Sequence, residues 1–329
     1  MKALVTGSAG HLGEAMMLGV AEHGWDVAGL DVKPSPHTDF TGSITDRAFV
    51  RDCLAGVDVI FHTATLHKPH VGTHSRQDFV DTNVTGTLNL LEEAVAQGCK
   101  AFIFTSTTST FGDALRPAPG EPAVWVTEDL RPRPKNIYGV TKCAAEDLCA
   151  LFHRNTGLPC LVLKTSRFFP EDDDDKGKRD AFDSDNLKVN ELLNRRADIA
   201  DLVSAHLLAA EKAGAIGFDK LILSAPSPFR RSDAAALATD APSVLAGYVP
   251  KYASTYEQLG WTLPDAFDRV YDSTRAQRVL GWVPRYTFQA ALEHLRAGED
   301  YRSELARRVG SKGYHSDQFE DEPFPVGGF

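Results

Sequence analysis

The sequence predicts an α/β protein of the Rossmann type, a doubly wound parallel sheet joined to a smaller, partly interleaved C-terminal substrate domain. Three observations carry this reading. Short apolar runs alternate with longer amphipathic stretches from the first residues on, a glycine-rich turn follows the first run, and the alternation breaks after Thr165 before returning near residue 198. Parallel neighbours need long crossovers, and helices on both faces supply them.

Taken in order, residues 3–6 read as a strand, followed by a helix to about His23, a second strand at 26–31 and a third at 57–62. A helix over about 77–97, a strand at 101–105, a helix at 138–155 and a strand at 158–165 continue the series. Residues 170–185 are acidic, with Glu171 and four consecutive aspartates, and read as a solvated loop. A helix over 195–212 and an apolar run at 220–225 restore the rhythm. Beyond Pro226 the chain is rich in proline and aromatic residues, including Trp261 and Trp282, which predicts a less regular part. Residues past about Ser303 read as an extended tail. The partition that follows assigns 1–165 and 198–225 to a nucleotide-binding core, and 166–197 and 226–329 to a substrate-binding part with its tail.

Of the 329 residues, 43% are hydrophobic and 24% charged, the composition of a soluble globular protein with a sizeable core. Thirty-five basic against 45 acidic residues give a net charge of −10 without a dense Lys/Arg block, which excludes nucleic acid as a partner. The five cysteines, at 53, 99, 143, 149 and 160, never form a CxxC pair, so they indicate neither a disulfide framework nor a zinc knuckle. A reducing compartment fits them. No apolar run approaches the ~18 residues of a membrane span, and no signal-peptide pattern is present, so the expectation is a cytoplasmic protein without a membrane partner.

Thr6-Gly7-Ser8-Ala9-Gly10-His11-Leu12-Gly13 lies between the first strand and its helix. In that context a glycine triplet lets pyrophosphate approach the helix N-terminus, where unpaired N–H groups favour an anion. Asp31 ends the second strand, 18 residues after Gly13. A carboxylate there accepts from the adenine ribose hydroxyls and repels a 2′-phosphate, which selects NAD over NADP. Lys33 is the one feature that leaves NADP open.

Tyr138-Gly139-Val140-Thr141-Lys142 places a phenol and an ammonium on one helix face. The loop 105–112, Thr-Ser-Thr-Thr-Ser-Thr-Phe-Gly, is dense in hydroxyls that can bind a substrate oxygen. A free tyrosine titrates near ~10, so acid/base work near neutrality calls for a nearby positive charge. Lys142 and an oxidised nicotinamide are the candidates.

With these residues in view, the chain resembles the extended short-chain dehydrogenase/reductase family, which includes sugar-nucleotide epimerases and dehydratases. The resemblance runs through most of residues 1–300. It rests on TGSAGHLG at 6–13, Asp58-Val-Ile-Phe-His-Thr-Ala at 58–64, Asn83-Val-Thr-Gly-Thr-Leu-Asn-Leu-Leu at 83–91, the loop 105–112, YGVTK at 138–142, Asp201 with Ala205-His206, and Leu280-Gly281-Trp282. The resemblance implies that Tyr138 is the catalytic acid/base, Lys142 its partner on the nicotinamide ribose, and Thr107 the hydroxyl that orients the reacting oxygen. It implies cofactor contacts from Gly7, Gly10, His11, Leu12, Gly13, Asp31, Ser43, Ile44, Thr63, Ala64 and Asn83, besides Tyr138 and Lys142. Ser43 stands where the family often has an adenine-contacting acid. Thr107 is followed by Thr108 and Ser109 rather than by an acid, which disfavours elimination chemistry. Arg167 stands where sugar-nucleotide epimerases have an Asn on the diphosphate; an arginine grips phosphate or carboxylate bidentately, and the acidic run after it repels a diphosphate.

His62, His67, His70 and His74 cluster in sequence but lack grouped carboxylates or cysteines, so no metal is expected. His67, Thr108, Arg167 and Arg196 are the candidate substrate contacts. Arg195 and Arg196 either meet an anionic substrate or cap and pair with the helix that follows. The expected function is NAD-dependent hydride transfer at a hydroxyl or keto carbon of a carbohydrate, with an epimerase of a sugar or sugar nucleotide first. A dehydrogenase or reductase of a sugar, sugar acid or other small carbonyl compound is second, and a non-catalytic NAD(H)-binding regulator third. Tyr138 and Lys142 count against the third. A homodimer through the helices over 83–97 and 138–155 is expected, with Leu88, Leu91, Val95, Leu148 and Phe152 as its apolar candidates.

Overall fold

The computed structural model describes residues 1–173 and 175–313. The first half is built from β1 (Lys2–Thr6), α1 (His11–Glu22), β2 (Asp26–Asp31), β3 (Phe40–Thr41), α2 (Arg47–Cys53), β4 (Val59–His62), α3 (Arg76–Val80), α4 (Gly86–Ala96), β5 (Ala101–Thr107), β6 (Val124–Val126) and α5 (Ile137–Thr156). It continues through β7 (Cys160–Thr165), α6 (Lys176–Ala181), α7 (Ser184–Glu191), α8 (Ile199–Ile216) and β8 (Phe218–Leu223). Then come α9 (Ala234–Leu237), α10 (Ala241–Tyr248), α11 (Tyr252–Leu259), β9 (Arg269–Tyr271), α12 (Thr274–Leu280), α13 (Phe288–Arg296) and α14 (Glu304–Val309). Seven strands pair in parallel in the order β3-β2-β1-β4-β5-β7-β8. The order reverses direction at β1, the place where open α/β sheets leave a crevice for ligands.

Successive strand residues enter opposite cores, which is why the strands read as continuous apolar runs. Val5, Phe61, Ile103 and Leu163 pack beneath α1 and α8, while Leu4, Ile60, Phe102 and Val162 pack beneath α2, α4 and α5. Local signals start and stop the helices. Asn136 caps α5 by accepting from the Gly139 N–H at 3.1 Å, and Gly157 ends it in the left-handed region. A third core gathers Val189 and Leu193 with Phe229, Leu245, Tyr256 and Phe288. Trp282, 1% exposed, ties this later part to α8 by donating to the Asp201 carbonyl at 3.0 Å, and Asp201 in turn accepts from the Arg285 and Tyr286 N–H groups.

The structure corrects several expectations. The helix expected over 77–97 is two α-helices joined by one wide π turn at Asp81–Thr85, with Asn83 inside it. The helix expected from 195 starts at Ile199, because Asp198 caps it by accepting from the Ala200 N–H. Residues 304–309 are not tail but α14, capped by Ser303 and packed through Leu305, Ala306 and Val309 onto the core under α1 and α8. The rest of the expected tail, 314–329, lies outside the described residues. The acidic segment is solvated only in part: Asp172 and Asp175 are exposed and 176–181 form α6, but Asp173 is 5% exposed, held by Arg167 and faced by Arg195 at 3.7 Å. Asp174 lies outside the described residues.

Candidate active site

A cavity of about 1260 Å³ opens along the strand ends of the sheet. That exceeds the ~300–1,000 Å³ of a typical small-molecule site and leaves room for a dinucleotide beside a substrate. At one end lies the glycine loop. Gly7 has φ +77, and a Cβ on Gly13 would stand 1.8 Å from the Gly7 carbonyl oxygen, so the turn closes only without side chains. No side chain caps α1 at Gly10, so the first-turn N–H groups of a twelve-residue helix are left for a ligand. Asp31 sits beside them, accepting from the Ala9 N–H at 3.0 Å and the Lys33 N–H at 2.9 Å. These features fit the pyrophosphate and ribose of a dinucleotide.

Gly7, Gly10, His11, Leu12, Gly13, Asp31, Ser43, Ile44, Thr63 and Ala64 all line the cavity. The Ser43 hydroxyl is 2.8 Å from that of Thr45. Asn83 is placed differently. It is 2% exposed, lies behind the cavity wall, accepts from the Leu66 N–H at 2.9 Å, and donates to the Leu66 carbonyl at 2.8 Å and to Thr141 at 3.0 Å. The π turn aims it at the segment after β4, which it clamps to α5.

Thr107 ends β5 and Tyr138 lies in the first turn of α5, and both side chains line the same stretch of the cavity. Burial pushes the Tyr138 phenol up to about 12, and the nearby Thr107 side chain works against that rise. Lys142, one turn along α5 and 2% exposed, donates from Nζ to the Thr105 carbonyl at 2.7 Å and lies 4.0 Å from the centre of the Phe104 ring. Burial pulls it down to about 7 although the Glu146 charge acts upward. Lys142 thus sits beneath the cavity floor, secured to the backbone of a lining residue.

Behind this floor lies a buried pair that sequence reading passed over. Lys164 Nζ is 2.5 Å from Glu146 Oε1, with Lys220 3.0 Å from Glu146 Oε2, and Lys164 also donates to Thr110 at 2.8 Å. Glu146 falls four residues after Lys142 on the same helix, the spacing that would have flagged it.

The histidines do not converge as one group. His62 is buried between the hydroxyls of Thr6 at 2.7 Å and Thr87 at 2.9 Å. His67 lines the cavity with its ring centre 6.4 Å from that of Tyr138, next to His70 and Phe169. Burial holds the His67 imidazole well below its usual range. Thr108 also lines the cavity. No grouping of three or more potential metal ligands occurs among the described residues.

The far end is arginine-rich. Arg167 pairs with Asp173 and lies 3.6 Å from Glu191; Arg196 reaches Glu191 at 2.7 Å and donates to the Phe169 carbonyl at 2.8 Å. Arg195 also pairs with Glu191, so these arginines bind back onto α7 instead of capping α8. Over the glycine loop, Glu171 meets His11 Nε2 at 2.7 Å and accepts from Ser311 at 2.9 Å. Burial works to raise Glu171, but His11 and the hydrogen bonds from a backbone N–H and from Ser311 prevail and hold it at about 2. Neither Glu171 nor the segment after α14 was expected here, because the contacts join residues 140 positions apart.

A family profile described as the NAD dependent epimerase/dehydratase family matches residues 3–217. A UDP-glucose 4-epimerase of Rhizobium leguminosarum bv. trifolii is 32% identical over 170 residues, 49% of this chain and 50% of the relative. A uronate dehydrogenase of Pseudomonas putida is 26% identical over 182 residues, 51% of this chain and 61% of the relative. The chain thus spans about half the length of the curated relatives it matches. A crystal structure of a short-chain dehydrogenase/reductase superfamily protein from Agrobacterium tumefaciens with bound NAD superimposes with a TM-score of 0.63 at 21% identity, covering 94% of this chain and 99% of that one. At that identity the likeness speaks to the fold.

Proposed function

The chain belongs to the NAD-dependent epimerase/dehydratase family, and from that premise we propose that it moves a hydride at a hydroxyl-bearing carbon of a carbohydrate, as an epimerase of a sugar or sugar nucleotide. The observation that carries the proposal is that Thr107 and Tyr138 together line a cavity whose other end is the glycine loop. In this reading the glycine loop holds the pyrophosphate, Asp31 the adenine ribose and Lys142 the nicotinamide ribose. NAD, when bound, supplies the hydride acceptor and a positive charge. Thr107 holds the reacting oxygen, and Tyr138 takes the hydroxyl proton on oxidation and returns it on reduction. The test is to screen sugars and nucleotide sugars with the NAD-loaded protein. Isomerisation without net change at 340 nm is the expected result, and steady accumulation of NADH would replace the epimerase with a dehydrogenase.

The dehydrogenase reading has its own support in the arginine-rich end of the cavity, which suits a charged sugar. His67, Thr108, Arg167 and Arg196 are the substrate contacts in either case. Residues 166–197 and 226–313 serve as the substrate-binding part of the chain. A reducing, cytoplasmic setting accords with the five free thiols, and no helix among the described residues is long and apolar enough to cross a membrane. Pairing of two copies through α4 and α5 is supported by exposed Val95, Val140 and Leu151, while Leu91 belongs to the core. Light scattering that gives a monomer mass at micromolar concentration would reject the dimer.

A further inference from the structure

Three distant stretches of the chain meet at the glycine-loop end of the cavity. The first turn of α1 supplies His11 and Glu14, the connection from β7 to α6 supplies Glu171, and the segment after α14 supplies Ser311 and Lys312. Glu171 Oε1 is the hub. It lies 2.7 Å from His11 Nε2 and accepts from the Ser311 hydroxyl at 2.9 Å and from the Lys312 N–H at 3.1 Å. The Lys312 ammonium pairs with Glu14, one turn of helix from Gly10. Gly10, His11, Gly13, Lys312 and Gly313 all line the cavity. The segment after α14 therefore lies at the same end as the first-turn N–H groups of α1 that no side chain caps.

The two sides of this clasp are anchored unequally. Phe169, two residues before Glu171, packs its ring 5.7 Å from that of His11 and 5.8 Å from that of His67, and Asp173, two residues after, is buried beside Arg167 and Arg195. The other side is held more lightly. Residues 310–313 read Gly-Ser-Lys-Gly, without an apolar side chain, and 311–313 are exposed. Gly310 and Gly313, with φ +61 and +65, bracket them in the left-handed region. Because α14 is itself docked through Leu305, Ala306 and Val309, a swing about Gly310 leaves the core intact. Polar contacts of an exposed segment are individually weak, so this side opens locally while the rest stays folded.

The clasp also bears on charge. Glu14 and Glu171 would repel a pyrophosphate at the α1 N-terminus; the Lys312 ammonium offsets the first, and the Lys312 N–H and Ser311 hydroxyl occupy the second. We propose that residues 311–313 form a strap that closes over the pyrophosphate end of the bound dinucleotide, and that its parting from Glu171 and Glu14 sets the rate at which the cofactor leaves. The proposal rests on the dinucleotide reading of the glycine loop. A strap that holds keeps NAD through both half-reactions of an epimerase, and one that parts readily serves a dehydrogenase, which exchanges its cofactor every turnover.

The experiment is stopped-flow release of NADH from the full chain, followed by NADH fluorescence after a chase with excess NAD. Lys312→Pro removes both the N–H and the ammonium, Lys312→Met the ammonium alone, and Glu171→Ala the hub. Release is expected to accelerate about tenfold or more in Lys312→Pro and Glu171→Ala, the scale of a lost hydrogen bond to a charged group, and less in Lys312→Met. The Lys312→Pro/Glu171→Ala double variant is expected to fall short of the product of the two single effects, since both undo one clasp. Lys312 is exposed, so its variants keep the test decisive even if Glu171→Ala fails to fold. Release unchanged in Lys312→Pro, or single effects that simply multiply, would overturn the strap while the dinucleotide reading stands. Failure of the wild-type protein to bind NADH would remove that underlying reading itself.

Discussion

The buried His206 imidazole stands 2.9 Å from the Thr105 hydroxyl, and the carbonyl of that same Thr105 accepts from Lys142. Thus α8 supports the strand end on which the cavity floor is laid. Burial pulls His206 down to about 4, against ~6.5 when unfolded. The folded state therefore favours the neutral ring. Its contribution to stability is complete above pH ~6.5 and is lost as pH falls toward about 4, on the order of 3 kcal/mol across that window. His62, held low by burial, acts in the same direction. Denaturant melts at pH 7.5 and 4.5 should show His206→Gln losing less stability on acidification than the wild type. Equal losses would remove this imidazole as the source.

Tyr138→Phe deletes the phenol oxygen and leaves the packing of the ring. Turnover should fall by ~10²–10⁴, as for loss of a general acid/base, with NAD affinity nearly unchanged. Thr107→Ala should cost less, since the phenol remains. Because burial drives the phenol to about 12, oxidation by the wild type should accelerate as pH rises through the alkaline range. Near-normal turnover in the Phe variant would displace Tyr138 from its role.

Asp31 holds two backbone N–H groups, one on each carboxylate oxygen. Asp31→Ala removes both bonds together with the ribose acceptor. NAD binding measured by calorimetry should weaken about 10–100-fold, the scale of lost hydrogen bonds to a charged group, and the preference over NADP should shrink. Stronger binding of NADP by the wild type would assign the strand end to Lys33 instead.

The sheet was legible because Leu4, Val5, Ile60 and Phe61 are buried in alternate cores, leaving a continuous apolar signal. The glycine loop and YGVTK were legible because each is a short motif in its expected local setting. What escaped has no local signature. β3 is two residues long, and β6 pairs with β9 through three residues each, too short for periodicity to register. Asp173 reads as solvated within four aspartates, and its burial follows from pairing with Arg167 and the approach of Arg195, neither of which the run itself announces. Asn83 was expected at the cofactor, but the π turn that redirects it depends on packing against α5.

The Glu146–Lys164 pair gives the last test, because its two members are not equivalent. Burial works to raise Glu146, but the charges of Lys164 and Lys220 prevail and hold it below the usual carboxylate range. Removing one partner of a buried ion pair typically costs ~3–5 kcal/mol, since the other charge is stranded. Glu146→Gln strands Lys164, which keeps only the Thr110 hydroxyl among its bonded partners here, and also weakens the acceptor that holds Ser106 at 2.5 Å beside Thr107. Lys164→Met leaves Glu146 with Lys220 at 3.0 Å and with Ser106. Urea denaturation should therefore show a loss of about 3–5 kcal/mol for Glu146→Gln and clearly less for Lys164→Met. The first variant should also lower kcat at unchanged NAD affinity, because Ser106 positions the strand end that carries Thr107. If Lys164→Met proved the more damaging, Lys220 would not be sharing the carboxylate, and this account of the catalytic floor would fail.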